Sequence, residues 1–240
     1  MDTRANKEHW DQLGGRYSLG WASPSQHELS RKEREFVVRH VPARSGNAVL
    51  DIGIGNGRIL AALLMAPNVS DVYGIDIAPS MLEFCRERLG DNPKVRQLTL
   101  CDIATEQLPV DVALQFISAV RVLKYVPNWW DVVRDKLIAQ LAPGGVLVFS
   151  MPNRHSVKRF SRPYAVQYEM TTEARLRRRL NEAGTDVLEI AGFSKFPDLL
   201  HRRSKRKWSS KLIVATDDAL RRPLGQARFA TELFVAVRRP

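Results

Sequence analysis

The amino-acid sequence predicts an α/β fold, in which a mostly parallel sheet carries helices on both faces. Short apolar runs alternate along the chain with amphipathic stretches, at the spacing expected of βαβ units. A glycine-rich loop, LDIGIGNGR (50–58), follows the first buried strand run, and acidic residues stand at the ends of the first strands. With 240 residues, the chain is long enough for one domain with a complete core.

The first half of the chain contains three predicted helices and three predicted strands. Leu29, Phe36 and Val37 recur at helical spacing, and Pro79 occupies a position favoured in the first turn of a helix. The predicted elements are, in order, a helix over 26–41, a strand over 48–52, a helix through 59–64, a strand over 72–75 that ends at Asp76, a helix from 79 and a strand over 95–100.

The second half continues this alternation and ends in a strand. Residues 171–173 predict the cap of a helix that turns Leu176, Leu180 and Ala183 inward, and Gly184 is the expected C-cap. The other predicted elements are a strand over 111–117, a helix around 129–141, a turn at 143–145, a strand over 146–149 and two late strands over 186–190 and 229–237.

Positive charge is concentrated in one region of the sequence. Residues 154–211 contain fifteen Lys and Arg against six Asp and Glu, which is +9 of the total net charge of +11. Such a concentration favours an anionic substrate, a nucleic acid or an acidic membrane face. A solvated, arginine-rich surface explains the same counts, so the charge alone does not decide among these partners.

Composition narrows the class of protein. The N-terminal sequence MDTRANKEHWDQ is too polar for a secretory signal peptide, and no run approaches the ~18–20 apolar residues of a membrane span. Cys85 and Cys101 lie in a predicted helix and a predicted strand, which favours free thiols over a disulfide. We therefore expect a cytoplasmic protein.

The glycine loop does not match the dinucleotide fingerprint G-x-G-x-x-G. Counted from Gly53, the third glycine falls on Arg58, and counted from Gly55 it falls on Leu60. Asp51, two residues before the first glycine, is a poor neighbour for a pyrophosphate and suits a ligand with an ammonium or sulfonium group. NAD is therefore disfavoured.

Acidic residues end three successive predicted strands: Asp51, Asp76 and Asp102. In an open α/β sheet, ligands bind at the carboxyl ends of the strands. We expect Asp76 to accept both ribose hydroxyls, Asp102 to accept from an adenine amine, and Asp51 with the glycine loop to hold an amino-acid tail. S-adenosylmethionine (SAM) fits all three positions.

On these residues the chain resembles the class I SAM-dependent methyltransferases. The matching segments are VLDIGIGNGRIL (49–60), VYGIDIAPSMLEFCRERL (72–89), VRQLTLCDI (95–103) and LAPGGVLVFSMPN (141–153). The resemblance implies a Rossmann-like, seven-stranded sheet whose last strand, here 229–237, is antiparallel. It is nearest to the small-molecule branch, which includes ubiquinone- and menaquinone-biosynthesis methyltransferases and sugar or natural-product O-methyltransferases.

The resemblance also implies a domain organisation and a cofactor site. Residues 1–45 would form a helical cap or lid, and 46–240 the methyltransferase domain, with basic insertions near 152–171 and 195–227. The segment HWDQLGGRYSLGW (9–21) is similar to one that closes over the cofactor. The expected cofactor-binding residues are Tyr17, Asp51, Gly53, Ile54, Gly55, Asn56, Gly57, Asp76, Ile77, Met81, Cys101, Asp102, Ile103, Ile117 and Ser118.

The sequence offers two candidate catalytic residues. Methylases of base amino groups carry an Asn/Asp-Pro-Pro-aromatic motif after the fourth strand, whereas this chain has FISAVRVLKYVPN (116–128). Small-molecule relatives often have Glu-His-Val-Pro-Asp where this chain has KYVPN, so Tyr125 replaces their usual histidine. His155, just beyond the fifth strand, is then the best remaining base, because an imidazole of pKa ~6.5 suits proton abstraction at neutral pH.

The leading hypothesis is O-methylation of a small-molecule hydroxyl, on a sugar or glycoside, a natural product or a quinone-type acceptor that is anionic or polyhydroxylated. One alternative is an RNA methyltransferase that uses the basic segment HRRSKRKW (201–208), in which a tryptophan able to stack stands among cations. N-methylation of a small-molecule amine and a non-enzymatic binding role are the others. No sequence pattern indicates a metal site, although the sequence leaves magnesium binding open. It also leaves open whether the protein forms a homodimer.

Overall fold

The computed structural model describes residues 3–14, 22–160, 168–196, 200–201, 206–224 and 227–240. Within these residues, the strands form one seven-stranded sheet in the order β3-β2-β1-β4-β5-β7-β6. β7 runs antiparallel to both of its neighbours, whereas β1 to β5 are parallel. The strands are β1 (Asn47–Ile52), β2 (Val69–Asp76), β3 (Val95–Leu100), β4 (Leu114–Ala119), β5 (Leu141–Pro152), β6 (Asp186–Phe193) and β7 (Glu232–Arg238).

Helices pack on both faces of this sheet, so the predicted fold class is confirmed. Alternate residues of β1 serve opposite cores: Leu50 and Ile52 face one cluster, and Val49 faces the other. The first cluster includes Trp129 and Leu176, and the second includes Phe36. The helices are α1 (Thr3–Leu13), α2 (Pro24–Arg39), α3 (Arg58–Met65), α4 (Pro79–Leu89), α5 (Trp129–Asp131, continued as a π-helical segment over Val132–Ile138), α6 (Glu173–Glu182) and α7 (Lys207–Leu224).

The predicted turn at 143–145 is wrong, because these residues lie inside β5. The register with β4 steps from Leu114 opposite Leu141 to Phe116 opposite Val146, and Gly144 has a φ of 74°. The extra residues form a bulge, which a glycine at positive φ allows. The strand therefore continues through the local turn signal, because Leu141 before it and Val146 after it both pair with β4.

Other boundaries also differ from the sequence prediction. β4 begins at Leu114 instead of 111, and β7 begins at Glu232 instead of 229. The helix expected through 141 ends just before Leu141, because Leu141 pairs with Leu114 in the sheet. In each case the partner strand sets the limit, which apolar periodicity in a single segment does not report.

Candidate active site

The glycine loop after β1 is held in a conformation that only glycine adopts freely at its first position. Gly53 has a φ of 68°, and its N–H donates to the Ile75 carbonyl at 2.8 Å. A Cβ atom there would lie 2.7 Å from Cγ2 of Val122, which follows β4. The loop therefore turns tightly beneath the segment after β4, with Gly53 packed against the Val122 side chain.

Asp76, the last residue of β2, fixes the other side of this loop. One carboxylate oxygen accepts from the Gly55 N–H and the other from the Ala78 N–H, both at 2.9 Å. Burial raises the pKa of Asp76, and these backbone N–H groups oppose the rise. The carboxylate thus joins the glycine loop to the N-terminal end of α4.

Asp51 lies in the adjoining strand, and its side chain is buried. Ser118 of β4 donates to Asp51 Oδ1 at 2.6 Å, whereas Oδ2 accepts no hydrogen bond of good geometry from the described residues. Burial raises the pKa of Asp51 to about 7; the Ser118 hydroxyl and the charge of Arg58 oppose the rise. A buried carboxylate with one oxygen outside any good hydrogen bond favours a cationic ligand group beside the glycine loop.

This pKa predicts a distinct pH dependence of stability. The unfolded chain ionises Asp51 near pH 3.8, whereas the folded state keeps its proton up to about pH 7. The folded state therefore binds more protons between these values, so the contribution of Asp51 is fully present below about pH 4 and is lost as pH rises to 7. Asp51→Asn should remove this dependence of the unfolding free energy on pH. As pH rises from about 4 to 7, the variant should become more stable relative to the wild type by at most about 1.4 kcal/mol per pH unit.

Urea unfolding of the wild type and Asp51→Asn at pH 5, 6, 7 and 8, without cofactor, measures this difference. Asp71→Asn is the matched control on β2, because the Ser70 hydroxyl and Arg96 lower the pKa of its partly exposed carboxyl. A wild-type minus Asp51→Asn difference that stays flat across this range would contradict the assignment of the slope to Asp51.

The remaining expected cofactor residues divide into an edge group and a core group. The Cys101 N–H donates to the Asp76 carbonyl at 3.0 Å, which places Asp102 next to the end of β2, and the Asp102 carboxylate accepts from the Ala104 N–H at 2.9 Å. Ile54, Ile103 and Ile117 have side chains buried in the two core clusters. Gly57 and Met81 are also buried, while Asn56 and Ile77 are half-buried near the loop and α4.

Helix α1 packs against the start of α4 at this edge of the sheet, and the expected role of the N-terminal segment as a lid stays a prediction. The Ser80 N–H at the start of α4 donates to the Asp11 carboxylate, and the Ser80 hydroxyl donates to the Asp11 carbonyl, both at 2.9 Å. Trp10 packs edge-on against Tyr125, with ring centroids 5.1 Å apart. Tyr17 lies outside the described residues, and its expected contact with the cofactor stays a prediction.

The two candidate catalytic residues lie in different surroundings. Tyr125 is half-buried between Trp10 and the ammonium of Lys124, which stands 5.1 Å from its ring centre. His155 is exposed in the turn after β5, where its backbone N–H donates to the Asn153 side chain at 3.0 Å. Both stand at the carboxyl side of the sheet, and Tyr125 is the one beneath α1.

Sequence reasoning missed a buried ionic network beside this edge. Glu33 of α2 is fully buried and pairs with Arg58 at the start of α3 and with Arg121 after β4, each at 2.5 Å. Arg121 has a φ of 63°, a strained value for a residue with a side chain. Helical periodicity gives no signal for such a network, because its three residues lie far apart in the sequence and come together only in the folded chain.

The sequence analysis also did not predict a contact between Cys85 of α4 and the glycine loop. The Cys85 thiol donates to the Gly55 carbonyl at 3.3 Å. Burial raises the pKa of Cys85 to about 12, with the nearby Asp51 and Asp76 adding to the rise. Cys85 and Cys101 are both free and buried, as expected. The thiol of Cys85 therefore supports the glycine loop as a neutral donor.

A family model for the methyltransferase domain matches residues 25–190, a span that includes the glycine loop, Asp51, Asp76 and the segment after β4. The chain belongs to the class I SAM-dependent methyltransferases. The resemblance in the sequence motifs is thereby confirmed, and SAM is the cofactor of the family.

The relatives of this methyltransferase include enzymes with different acceptors. A trans-aconitate 2-methyltransferase of Variovorax paradoxus is 37% identical over 126 residues, covering 52% of this chain and 46% of that protein. A ubiquinone biosynthesis O-methyltransferase of Nitrosospira multiformis is 28% identical over 211 residues, covering 79% of this chain and 84% of the relative. The methyltransferase thus spans about half the length of the first relative and most of the second.

Among solved structures, the N-methyltransferase NodS from Bradyrhizobium japonicum with S-adenosylhomocysteine (SAH) superimposes with a TM-score of 0.60 at 17% identity. The alignment covers 91% of this chain and 89% of NodS. At this identity the likeness concerns the fold, and it agrees with the sheet order described above.

The residues present fit SAM in three respects. The glycine loop turns tightly at the end of β1, Asp51 beside it has a buried carboxylate oxygen without a hydrogen-bond partner among the described residues, and Asp76 ends β2 with its carboxylate fixed in place. Among the described residues, no cluster of histidine, cysteine and acidic side chains has the arrangement of a metal site. No helix in the described ranges is long and apolar enough to cross a membrane.

Proposed function

We propose that this methyltransferase transfers the methyl group of SAM to an oxygen atom of a small molecule, with a hydroxyl of a quinone-type, sugar or natural-product acceptor as the first candidate. One observation carries the proposal. Asp51, the glycine loop and Asp76 lie together at one edge of the sheet, and the segment 121–125 packs against the loop at that edge. An acceptor lying between this segment and the loop would be close to the cofactor and shielded from water.

The segment after β4 supports oxygen over a base amine as the acceptor atom. It has Val122 above Gly53, a buried Lys124 and Tyr125, and it lacks the Asn/Asp-Pro-Pro-aromatic motif of base-amine methylases. The relative named for ubiquinone biosynthesis, which is similar over most of its length, is an O-methyltransferase by name. An N-methylated amine and RNA are the alternatives that the experiment below separates.

A carboxylate oxygen is the second candidate, because relatives of the chain are named for trans-aconitate methylation. A carboxylate is ionised at neutral pH and needs no base, unlike a hydroxyl. This chemistry agrees with the absence of a histidine at position 125, where Tyr125 packs on Trp10 instead.

The proposed reaction is an in-line displacement. SAM supplies an electrophilic methyl group, whose bond to sulfur breaks as the bond to the acceptor oxygen forms, leaving SAH. The protein would hold the acceptor in line and exclude water, and a hydroxyl acceptor would pass its proton to the imidazole of His155, or to the Tyr125 hydroxyl as that hydroxyl releases its own proton to water. Asp51 and Asp76 bind and orient the cofactor, and they take no part in the proton transfer.

The decisive experiment has a binding step and a transfer step. SAH at ~100 times its dissociation constant should raise the melting temperature by roughly 5–10 °C, and NAD should not. Radioactive methyl transfer is then measured with 3,4-dihydroxybenzoate, trans-aconitate, a small-molecule amine panel and RNA. Label released by mild alkali indicates a methyl ester, and label that resists it indicates an ether. A shift with NAD alone, or label only in RNA with steep inhibition by salt, would overturn the proposal.

His155→Ala should lower kcat for a hydroxyl acceptor at least ~100-fold while the SAH dissociation constant stays unchanged, because the imidazole is the expected base. His27→Ala is the matched control, since His27 is exposed on α2. Steady-state rates and calorimetric SAH titration measure the two effects. Full turnover in His155→Ala would remove His155 from the mechanism and leave Tyr125 as the candidate.

A further inference from the structure

Lys124 is a buried cation whose ammonium is poorly coordinated by the protein. Its side chain is 9% exposed, and its ion pair with Glu232 spans 3.9 Å, beyond hydrogen-bond distance. The ring centre of Tyr125 lies 5.1 Å from Nζ. An ammonium carries three N–H donors, and no oxygen of the described residues accepts a hydrogen bond from them. These donors are therefore available to an anionic ligand group.

The position of Lys124 places this ammonium at the proposed reaction edge. Lys124 belongs to the 3₁₀ turn Leu123–Tyr125, next to Val122, which covers Gly53 of the cofactor loop. Tyr125 in the same turn contacts Trp10 of helix α1. The backbone around Lys124 is fixed as well, since its carbonyl accepts from the Glu169 N–H at 2.8 Å.

The charges around Lys124 also favour an anion. The described network contains three cations, Arg58, Arg121 and Lys124, and two carboxylates, Glu33 and Glu232. Each cation has at most 12% of its side chain exposed, and both carboxylates are fully buried. Glu232 is shared between the Arg121 guanidinium and the Lys124 ammonium, each 3.9 Å from it, so a further anion beside Lys124 would be attracted.

We propose that Lys124 binds a carboxylate of the acceptor, so that the methyltransferase selects small acids over neutral analogues. The inference rests on the proposed function, because it places this carboxylate beside the methyl-transfer edge. A carboxylate supplies both a negative charge and the acceptor oxygens that the ammonium lacks among the described residues. The carboxylate that Lys124 binds is the recognition group, and the methylated oxygen is another hydroxyl or carboxylate of the same molecule.

Calorimetry on the SAH-loaded protein tests this selection with matched probes. 3,4-dihydroxybenzoate, 4-hydroxybenzoate and citrate are each compared with their methyl esters, at up to millimolar concentrations. We expect at least one acid to bind about tenfold or more tightly than its ester, and Lys124→Met to abolish that preference while ester and SAH affinities stay unchanged. Lys32→Met is the matched control, because Lys32 pairs with Asp218 away from this edge.

A second variant separates ligand binding from a purely structural role for Lys124. If Lys124 binds the acid, Glu232→Gln should strengthen acid binding, because it removes a competing carboxylate 3.9 Å from Nζ. If Lys124 only neutralises Glu232, acid affinity should be unaffected or should fall. Lys124→Arg, which keeps the charge, should retain the preference and replaces Lys124→Met if that variant does not fold.

The outcomes distinguish this inference from the proposed function. Methyl transfer that continues with an acid preference unchanged in Lys124→Met, or the absence of any acid preference in the wild type, would overturn the anion site and leave the methyltransferase activity standing. Failure of SAH binding in the wild type would instead overturn the proposed function itself.

Discussion

Asp76→Ala should weaken SAH binding about 100-fold or more, the largest effect expected from a single change at the cofactor site. Asp76 accepts two backbone hydrogen bonds, from Gly55 and Ala78, and is the expected partner of the cofactor ribose. Hydrogen bonds to a charged group contribute about 1.5–3 kcal/mol each, and ~2.8 kcal/mol corresponds to a hundredfold change. Losing the carboxylate both releases the glycine loop and removes the ribose acceptor. Isothermal titration with SAH measures the effect.

Asp71→Ala is the control for this measurement, because it removes a carboxylate from the same strand. Asp71 is partly exposed and pairs with Ser70 and Arg96 at the surface, so its loss should leave SAH affinity unchanged. Circular dichroism confirms that Asp76→Ala is folded before titration. A folded Asp76→Ala protein that binds SAH as tightly as the wild type would exclude the role assigned to this carboxylate.

Glu33→Gln should destabilise the folded protein by about 3–5 kcal/mol, the largest effect on stability expected from one substitution. Glu33 is the buried carboxylate shared by Arg58 and Arg121, whose side chains are 12% and 11% exposed. The amide keeps the shape of the side chain but removes the charge that both guanidinium groups face. For a chain of this size, the melting temperature should fall by roughly 10 °C.

Thermal and urea unfolding of Glu33→Gln are compared with those of Glu35→Gln on the same helix. Glu35 makes an exposed pair with Arg31 of the kind that contributes at most about 1 kcal/mol. If the two variants unfold within ~2 °C of each other, the network around Glu33 contributes no more than a surface pair.

The cofactor half of the site could be predicted from the sequence because its signals are local. The glycines of the loop and the acids that end β1 and β2 lie within segments where strand, turn and helix follow directly in the chain. A parallel sheet then brings the carboxyl ends of neighbouring strands together, which places Asp51, Asp76 and the residues after β3 at one edge. The structure adds that Ser118 holds Asp51, a pairing that follows from the register of β1 with β4.

The acceptor half could not be predicted in this way, since its contacts join distant parts of the chain. Glu33 and Arg121 are 88 positions apart, and Ser150 and Glu232, which share a hydrogen bond, are 82 apart. In the segment after β4, the sequence indicated Tyr125 as the candidate residue. The structure instead shows that the neighbouring Lys124 has a buried side chain whose ammonium is poorly coordinated. Burial of a charge depends on what packs over it, and a linear pattern contains no such information.

The sequence by itself determined the fold class, the order of the elements and the identity of the loop and acids that we propose hold the cofactor. These properties depend on hydrophobic periodicity and on backbone conformations that few residue types adopt. Three features depend on the tertiary structure alone. β5 continues through the turn signal at 143–145, α1 packs against the start of α4, and buried cations lie in the segment after β4. These depend on pairing energies and desolvation, which exist only once remote segments exclude water from one another.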